Sequence, residues 1–146
     1  MTSSLNHSVT FSSTSPDHTK QIAADFAITL KGGEVIFLEG ELGSGKTTFV
    51  QGAAKALGYD GPVRSPTFTL INIYSTSNKK IKKIIHIDLY RIKDSSELRQ
   101  LALEEHVQDQ SSVMFVEWPN LLEPLLKTKP KRITFEETSF GRSITI

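Results

Sequence analysis

The chain has 146 residues, 38% of them hydrophobic and 23% charged, which fits one domain and excludes collagen, a fully disordered chain and a low-complexity scaffold. Seventeen basic against sixteen acidic residues leave a net charge of +1, so no overall field recruits nucleic acid or an anionic membrane. The absence of cysteine removes disulfides, thiolate nucleophiles, iron–sulfur clusters and cysteine-ligated zinc and fits a reducing cytoplasm, while apolar runs of only a few residues predict neither a membrane span nor an export signal.

Residues 1–14, with Ser or Thr at eight positions, read as a flexible N-terminal arm in which Val9 and Phe11 mark a short strand at the end. Ser15 is placed to cap a helix with Pro16 at its first position. Ile22, Ala23, Phe26, Ala27 and Leu30 then repeat at helical spacing until Gly32 and Gly33. Val35-Ile36-Phe37-Leu38 is a continuous apolar run, the pattern of a strand buried on both faces. A helix is predicted from about Lys46 to Leu57, stopped by Gly58. Stretches 67–74 and 81–89 are β-branched and aromatic around the polar turn 75–78, which predicts a β-hairpin. Asp94 and Glu97 have capping-box spacing and open a helix running toward Val107. Val113-Met114-Phe115-Val116 is a second apolar strand, followed by a short helix at 121–126 and closing strands at 133–135 and 144–146. The sum is an α/β fold in three layers, with a mixed sheet that contains a hairpin.

Gly40-Glu41-Leu42-Gly43-Ser44-Gly45-Lys46-Thr47 matches the phosphate-binding loop G-x-x-x-x-G-K-[ST] at every fixed position, after a strand and before a helix as the chemistry requires. Glycines let the backbone aim several N–H groups inward, and the helix adds its positive end, so phosphate charge meets fixed dipoles. ATP contacts are therefore expected from Leu42, Gly43, Ser44, Gly45, Lys46, Thr47 and Thr48. Lys46 would bridge the β- and γ-phosphates, and the Thr47 hydroxyl would ligate Mg²⁺. Residues 15–146 thus read as a single P-loop ATPase domain.

Such a site needs a carboxylate at the end of a neighbouring strand. Asp88 and Glu117 both follow apolar runs. The purer run before Glu117 predicts the more central strand and the position nearer the metal, with Asp88 placing a water or supporting the ligands. Lys79, Lys80, Lys82 and Lys83 read first as a solvated edge and second as an RNA or acidic-partner contact. The four histidines lack metal-ligand spacing. Trp118 reads as filling beside the site, and Arg91 and Arg142 as surface residues within reach of a phosphate.

The loop continued through Thr48-Phe49, together with Ser65-Pro66-Thr67-Phe68-Thr69-Leu70, His86-Ile87-Asp88-Leu89-Tyr90-Arg91 and Glu117-Trp118-Pro119, resembles the TsaE family of bacterial tRNA threonylcarbamoyladenosine biosynthesis. The likeness runs in order and spacing from about Ser15 to Ile146. Glu41 and Ser44 depart from the family's usual Asp and Ala, mildly, because the loop works there through its backbone. The resemblance implies a P-loop ATPase acting in the cytoplasm with the TsaD and TsaB proteins, and with tRNA indirectly through them. TsaD transfers threonylcarbamoyl to adenosine 37 of tRNAs reading codons that begin with A, and ATP hydrolysis serves turnover of the complex. It also implies that Thr47 and Glu117 hold Mg²⁺, with Asp88 close by and supporting hydrolysis, and that Ser65, Pro66 and Thr67 form a mobile switch. The short C-terminal region leaves Arg142 as an ATP contact on position alone. Two other functions compete: a small-molecule P-loop kinase, for which the scattered arginines make a poor lid, and a nucleotide-dependent adaptor without significant turnover. A GTPase lacks its guanine-reading motif, since Asn78-Lys79-Lys80-Ile81 has no Asp.

Overall fold

The computed structural model describes residues 8–146. Seven strands form one mixed sheet in the order β1-β7-β6-β2-β5-β4-β3. In chain order these are β1 (Thr10–Ser13), β2 (Val35–Glu39), β3 (Ile71–Ser75), β4 (Lys83–Asp88), β5 (Ser112–Glu117), β6 (Lys131–Thr138) and β7 (Gly141–Thr145). The middle four, β6-β2-β5-β4, run parallel, and antiparallel partners finish both edges. The expected hairpin is β3–β4, and β6–β7 is a second.

The apolar run of β2 divides its side chains as a strand buried on both faces must. Ile36 and Leu38 enter a core with α1 (Pro16–Ala27) and α2 (Lys46–Ala56), while Val35 and Phe37 enter a second core. The second is covered by α3 (Ser95–Arg99), α4 (Glu104–Gln108) and a 3-10 turn at Glu123–Leu125. The helix layers on the two faces make the three-layer architecture predicted. Ser15 caps α1 as expected, its hydroxyl accepting from the His18 amide at 3.1 Å.

Several boundaries differ from the sequence reading. The short strand expected around Val9 and Phe11 is edge strand β1, running to Ser13 and paired with β7 through Thr10–Thr145 and Ser13–Arg142; residues 1–7 of the expected arm lie outside the described residues. The first helix ends at Ala27, before Leu30. Stretch 67–70 is a turn and not the start of a strand, because Leu70 adopts φ +70° and its carbonyl accepts from the Asp88 amide. The helix predicted from Asp94 toward Val107 is broken at Ala102, φ +49°, so that Leu98 in α3 and Leu103, the N-cap of α4, both reach the second core. The short helix expected at 121–126 contracts to the 3-10 turn, and the closing strands are longer than their apolar residues suggested.

Helices α1 and α2 touch where Gly52 lies against the backbone of Lys20, and a Cβ there would collide with the Lys20 carbonyl. Gly52→Ala gains about 1 kcal/mol of helix propensity but forces two packed helices apart, at a cost of about 2–3 kcal/mol. The expected outcome is a net loss of about 1–2 kcal/mol, read as a fall in Tm of roughly 3–6 °C in a thermal melt.

Candidate functional site

The Gly40–Thr47 loop leaves the C-terminal end of β2, the central strand, and turns into α2. Gly43 (φ +77°) and Gly45 (φ +105°) take left-handed conformations that an L side chain resists, and Gly45 is the N-cap of α2. A Cβ on Gly43 would meet nothing within 4 Å, so the loop opens onto free space there. Ser44 is buried with its hydroxyl lacking a partner, Leu42 is exposed, and Thr47 and Thr48 are half-buried in the first turn of α2. Arg142, reaching over from β7, donates to the Gly43 carbonyl at 2.7 Å, and its guanidinium lies beside Gly45.

Lys46 is 4% exposed. Its ammonium donates to the Gly40 carbonyl at 2.7 Å, lies 3.9 Å from Glu117 Oε1, and sits 4.5 Å from the centre of the Trp118 ring. Burial holds its pKa below the ordinary lysine value, opposed by the charges of Glu117, then Asp88, then Glu41. That ranking agrees with the sheet register. Glu117 ends β5, beside β2 and paired with Leu38; Asp88 ends β4, one strand further out and paired with Glu117.

The two carboxylates are differently engaged. Glu117 Oε2 is 2.7 Å from His86 Nε2, and Oε1 receives no hydrogen bond. Asp88 accepts from the Tyr90 amide at 2.9 Å on one oxygen and from the Thr67 hydroxyl at 2.9 Å on the other. Thr67 also shares a 2.7 Å hydrogen bond with Ser65 across the buried Pro66, so the Ser65-Pro66-Thr67 segment is tied to the end of β4. Arg91 fastens the same segment from the other side, donating to the carbonyls of Thr67 and Phe68 at 2.9 Å each.

The donors suit the groups the loop motif implies. Inward-turning glycines at a helix N-terminus, a buried ammonium and an unpartnered hydroxyl fit a polyphosphate. A threonine hydroxyl and two carboxylates are hard oxygen donors of the kind Mg²⁺ takes. Among the described residues no three His, Asp or Glu side chains form a ready-made metal cage, so an ion here must complete its shell with phosphate oxygens and water.

Sequence reasoning missed three contributors. His86 was set aside for lacking metal-ligand spacing, yet it touches Glu117. Arg91 ties down the Thr67–Phe68 backbone instead of standing free at the surface. Trp118 is more than filler: its backbone is left-handed at φ +56°, and its ring packs on Lys46 and, at 5.0 Å, on Tyr90. Only the alternation of His86 and Asp88 along β4 hinted at a shared face. The four lysines at 79–83 are exposed around buried Ile81.

Two cavities differ in size and meaning. One of about 160 Å³, lined by Gly40, Lys46, Trp118 and Asn120 among others, adjoins the loop. A larger one of about 830 Å³ lies at the opposite end of β2, between Val35, Leu98, Leu103 and Leu122, and is lined by none of the motif residues. Chemistry, not volume, identifies the functional end.

Comparison with known proteins gives the family. The family model described as "Threonylcarbamoyl adenosine biosynthesis protein TsaE" matches residues 13–144. A Bacillus subtilis protein named tRNA threonylcarbamoyladenosine biosynthesis protein TsaE is 42% identical over 121 residues, covering 83% of this chain and 73% of its own length. An Aquifex aeolicus protein of the same name is 55% identical over 82 residues, 55% of this chain and 59% of that one. The crystal structure of Bacillus subtilis YdiB superposes with a TM-score of 0.78 at 33% identity, covering 95% of this chain and 84% of that one. With a match that runs from the first described strand to the last, this chain belongs to the TsaE family.

Proposed function

We propose that this chain is an ATP-binding and ATP-hydrolysing accessory protein in threonylcarbamoylation of adenosine 37 of tRNAs that read codons beginning with A, working in the cytoplasm with TsaD and TsaB. The observation that carries the reading is the buried Lys46, held between the Gly40 carbonyl, Glu117 and Trp118 at the mouth of a glycine loop, in a chain of the TsaE family. Among the described residues no helix is long and apolar enough to cross a membrane.

Burial disfavours the charged form of Lys46, and the β- and γ-phosphates supply the compensating charge when it turns from Gly40 toward them. The loop amides and the α2 N-terminus receive the remaining phosphate oxygens, with Arg142 bracing the loop through Gly43. Bound Mg²⁺ would neutralise the phosphates further; Thr47 and Glu117 would hold it, with Asp88 near enough to join. Asp88 is held by Tyr90 and Thr67, and release of Thr67 would leave one oxygen free to turn toward an attacking water. Hydrolysis is thereby coupled to movement of the Ser65–Thr67 switch.

The rim also supports a partner-completed site. Phe68 is 83% exposed, and Leu42, Tyr90 and Phe140 are also exposed on loops at or near strand ends. Arg91, the arginine next to the carboxylate motif, is committed to the switch backbone and is not free to stabilise leaving phosphates. Docking of TsaD–TsaB would exclude water and supply the missing charge, an effect worth roughly 10³–10⁵ in rate when a cation arrives in trans.

Three outcomes are expected. Lys46→Ala should weaken ATP binding about a hundredfold in calorimetry, since the phosphates lose their mobile cation; unchanged affinity would refute the P-loop reading. Glu117→Ala and Thr47→Ala should lower Mg²⁺-dependent turnover more than they lower metal-free nucleotide binding. Normal activity of both at limiting Mg²⁺ would move the metal role to Asp88. Purified TsaD–TsaB should raise steady-state ATP hydrolysis by about tenfold or more; if turnover stays negligible while nucleotide still drives docking, the chain is an adaptor and not an ATPase.

A further inference from the structure

We infer that His86 is a positioning residue for the metal site: its ring holds the Glu117 carboxylate so that Oε1 is presented to the phosphate loop. The inference rests on the reading of Glu117 as a metal ligand and adds the group that aims it.

Glutamate has three rotatable side-chain bonds, and a carboxylate at a strand end can point several ways. Here one oxygen is tied. His86 is fully buried on β4, two residues before Asp88 and on the same face of the strand, and its Nε2 lies 2.7 Å from Glu117 Oε2. The other polar neighbour, Lys46 Nζ, is 3.9 Å from Oε1, beyond hydrogen-bond length. Glu117 is therefore anchored at one oxygen by the histidine, and the second oxygen stays unbonded on the side of the loop. Such an arrangement suits a ligand that donates one oxygen to an ion, because its orientation is settled before the ion arrives.

The environment also sets the tautomer. His86 Nδ1 is buried with no hydrogen-bond partner among the described residues. The nearest ring is Tyr74, 6.4 Å away between centroids, and its hydroxyl is engaged with the backbone of Arg64. A proton on Nδ1 would be a buried donor with no acceptor, whereas a proton on Nε2 meets a carboxylate. The geometry therefore puts a hydrogen on Nε2, donated to Glu117. The sequence around it reads Ile84-Ile85-His86-Ile87, and packing alone would be served better by a fourth aliphatic residue, which would leave no buried nitrogen unpaired. The imidazole is explained by what it holds.

The test uses the whole chain with ADP, Mn²⁺ as the probe ion, and electron paramagnetic resonance to measure bound Mn²⁺, with calorimetry for nucleotide affinity in the absence of metal. His86→Leu removes the donor, and His86→Gln places an amide N–H where Nε2 stood. His86→Leu is expected to weaken Mn²⁺ binding by about 10–100-fold, the usual cost of losing a group that orients a ligand, while metal-free ADP affinity stays within about twofold. His86→Gln should recover most of the loss. In a Glu117→Gln background His86→Leu should add little, because the two act as one unit. A folded His86→Leu protein that binds Mn²⁺ as the wild type does overturns the inference and leaves the reading of Glu117 intact. Full Mn²⁺ binding by Glu117→Gln sinks that reading, and the inference with it. Should His86→Leu fail to fold, the ¹⁵N shifts of His86 in the wild-type protein decide: a proton on Nε2 supports the assignment and a proton on Nδ1 overturns it.

Discussion

A buried ammonium must be compensated, and that requirement organises the functional end of this protein. Lys46 is nearly inaccessible to water, so its charge has to be met by the Gly40 carbonyl, by Glu117 at 3.9 Å and by the face of Trp118. Each of these sits at the end of a different piece of chain: Gly40 after β2, Glu117 at the close of β5, Trp118 just beyond it. The parallel register between β2 and β5, Leu38 opposite Glu117, brings them together. A slip of one residue would turn Glu117 to the other face of the sheet and leave the lysine without its counter-charge. The same geometry makes the site ready for phosphate, because a cation whose desolvation is only partly repaid gains when more negative charge arrives.

The second organising contact runs outward from Asp88. Its two oxygens bind the Tyr90 amide and the Thr67 hydroxyl, and Arg91, three residues along, grips the carbonyls of Thr67 and Phe68. A strand-end carboxylate and the arginine after it therefore clamp the loop between α2 and β3. Leu57, Tyr59 and Val63 pack the first part of the loop on the core, whereas in residues 64–70 Pro66 is the one buried anchor, so these polar ties set the position of that stretch. A stretch held mainly by hydrogen bonds is of the kind that moves at modest cost, as the proposed switch role of Ser65–Thr67 requires.

Much of this was legible in the sequence wherever the signal is local. The phosphate loop, the Ser15 cap, the doubly buried strands around Phe37 and Phe115 and the first of the two hairpins depend on contacts within a few residues or on side-chain period, and each lies where spacing placed it. The errors share a cause. Residues 67–70 carry strand-like side chains but turn because the Asp88 amide takes the Leu70 carbonyl, 18 positions away. The run from Asp94 has helical periodicity, yet it breaks at Ala102 so that two leucines can reach one core. The short strand marked by Val9 and Phe11 is present, but its bounds, Thr10–Ser13, are set by the edge of β7 with which it pairs.

The sequence by itself determined the chemistry on offer: a glycine loop of the phosphate-binding pattern between a strand and a helix, a lysine and threonine at its end, and two carboxylates each closing an apolar run. Tertiary structure decided which groups touch. It placed Glu117 beside the loop and Asp88 one strand further out, as the purer apolar run before Glu117 predicts, but it alone gave Glu117 a buried histidine, tied Asp88 to Thr67 and turned Arg142 onto Gly43 across 99 residues of chain. The physical reason is range. Local propensity, capping and period act over one or two turns of chain. The pairing of β2, β4 and β5 is settled by burial of two apolar cores at once, and no short stretch of sequence carries that energy alone.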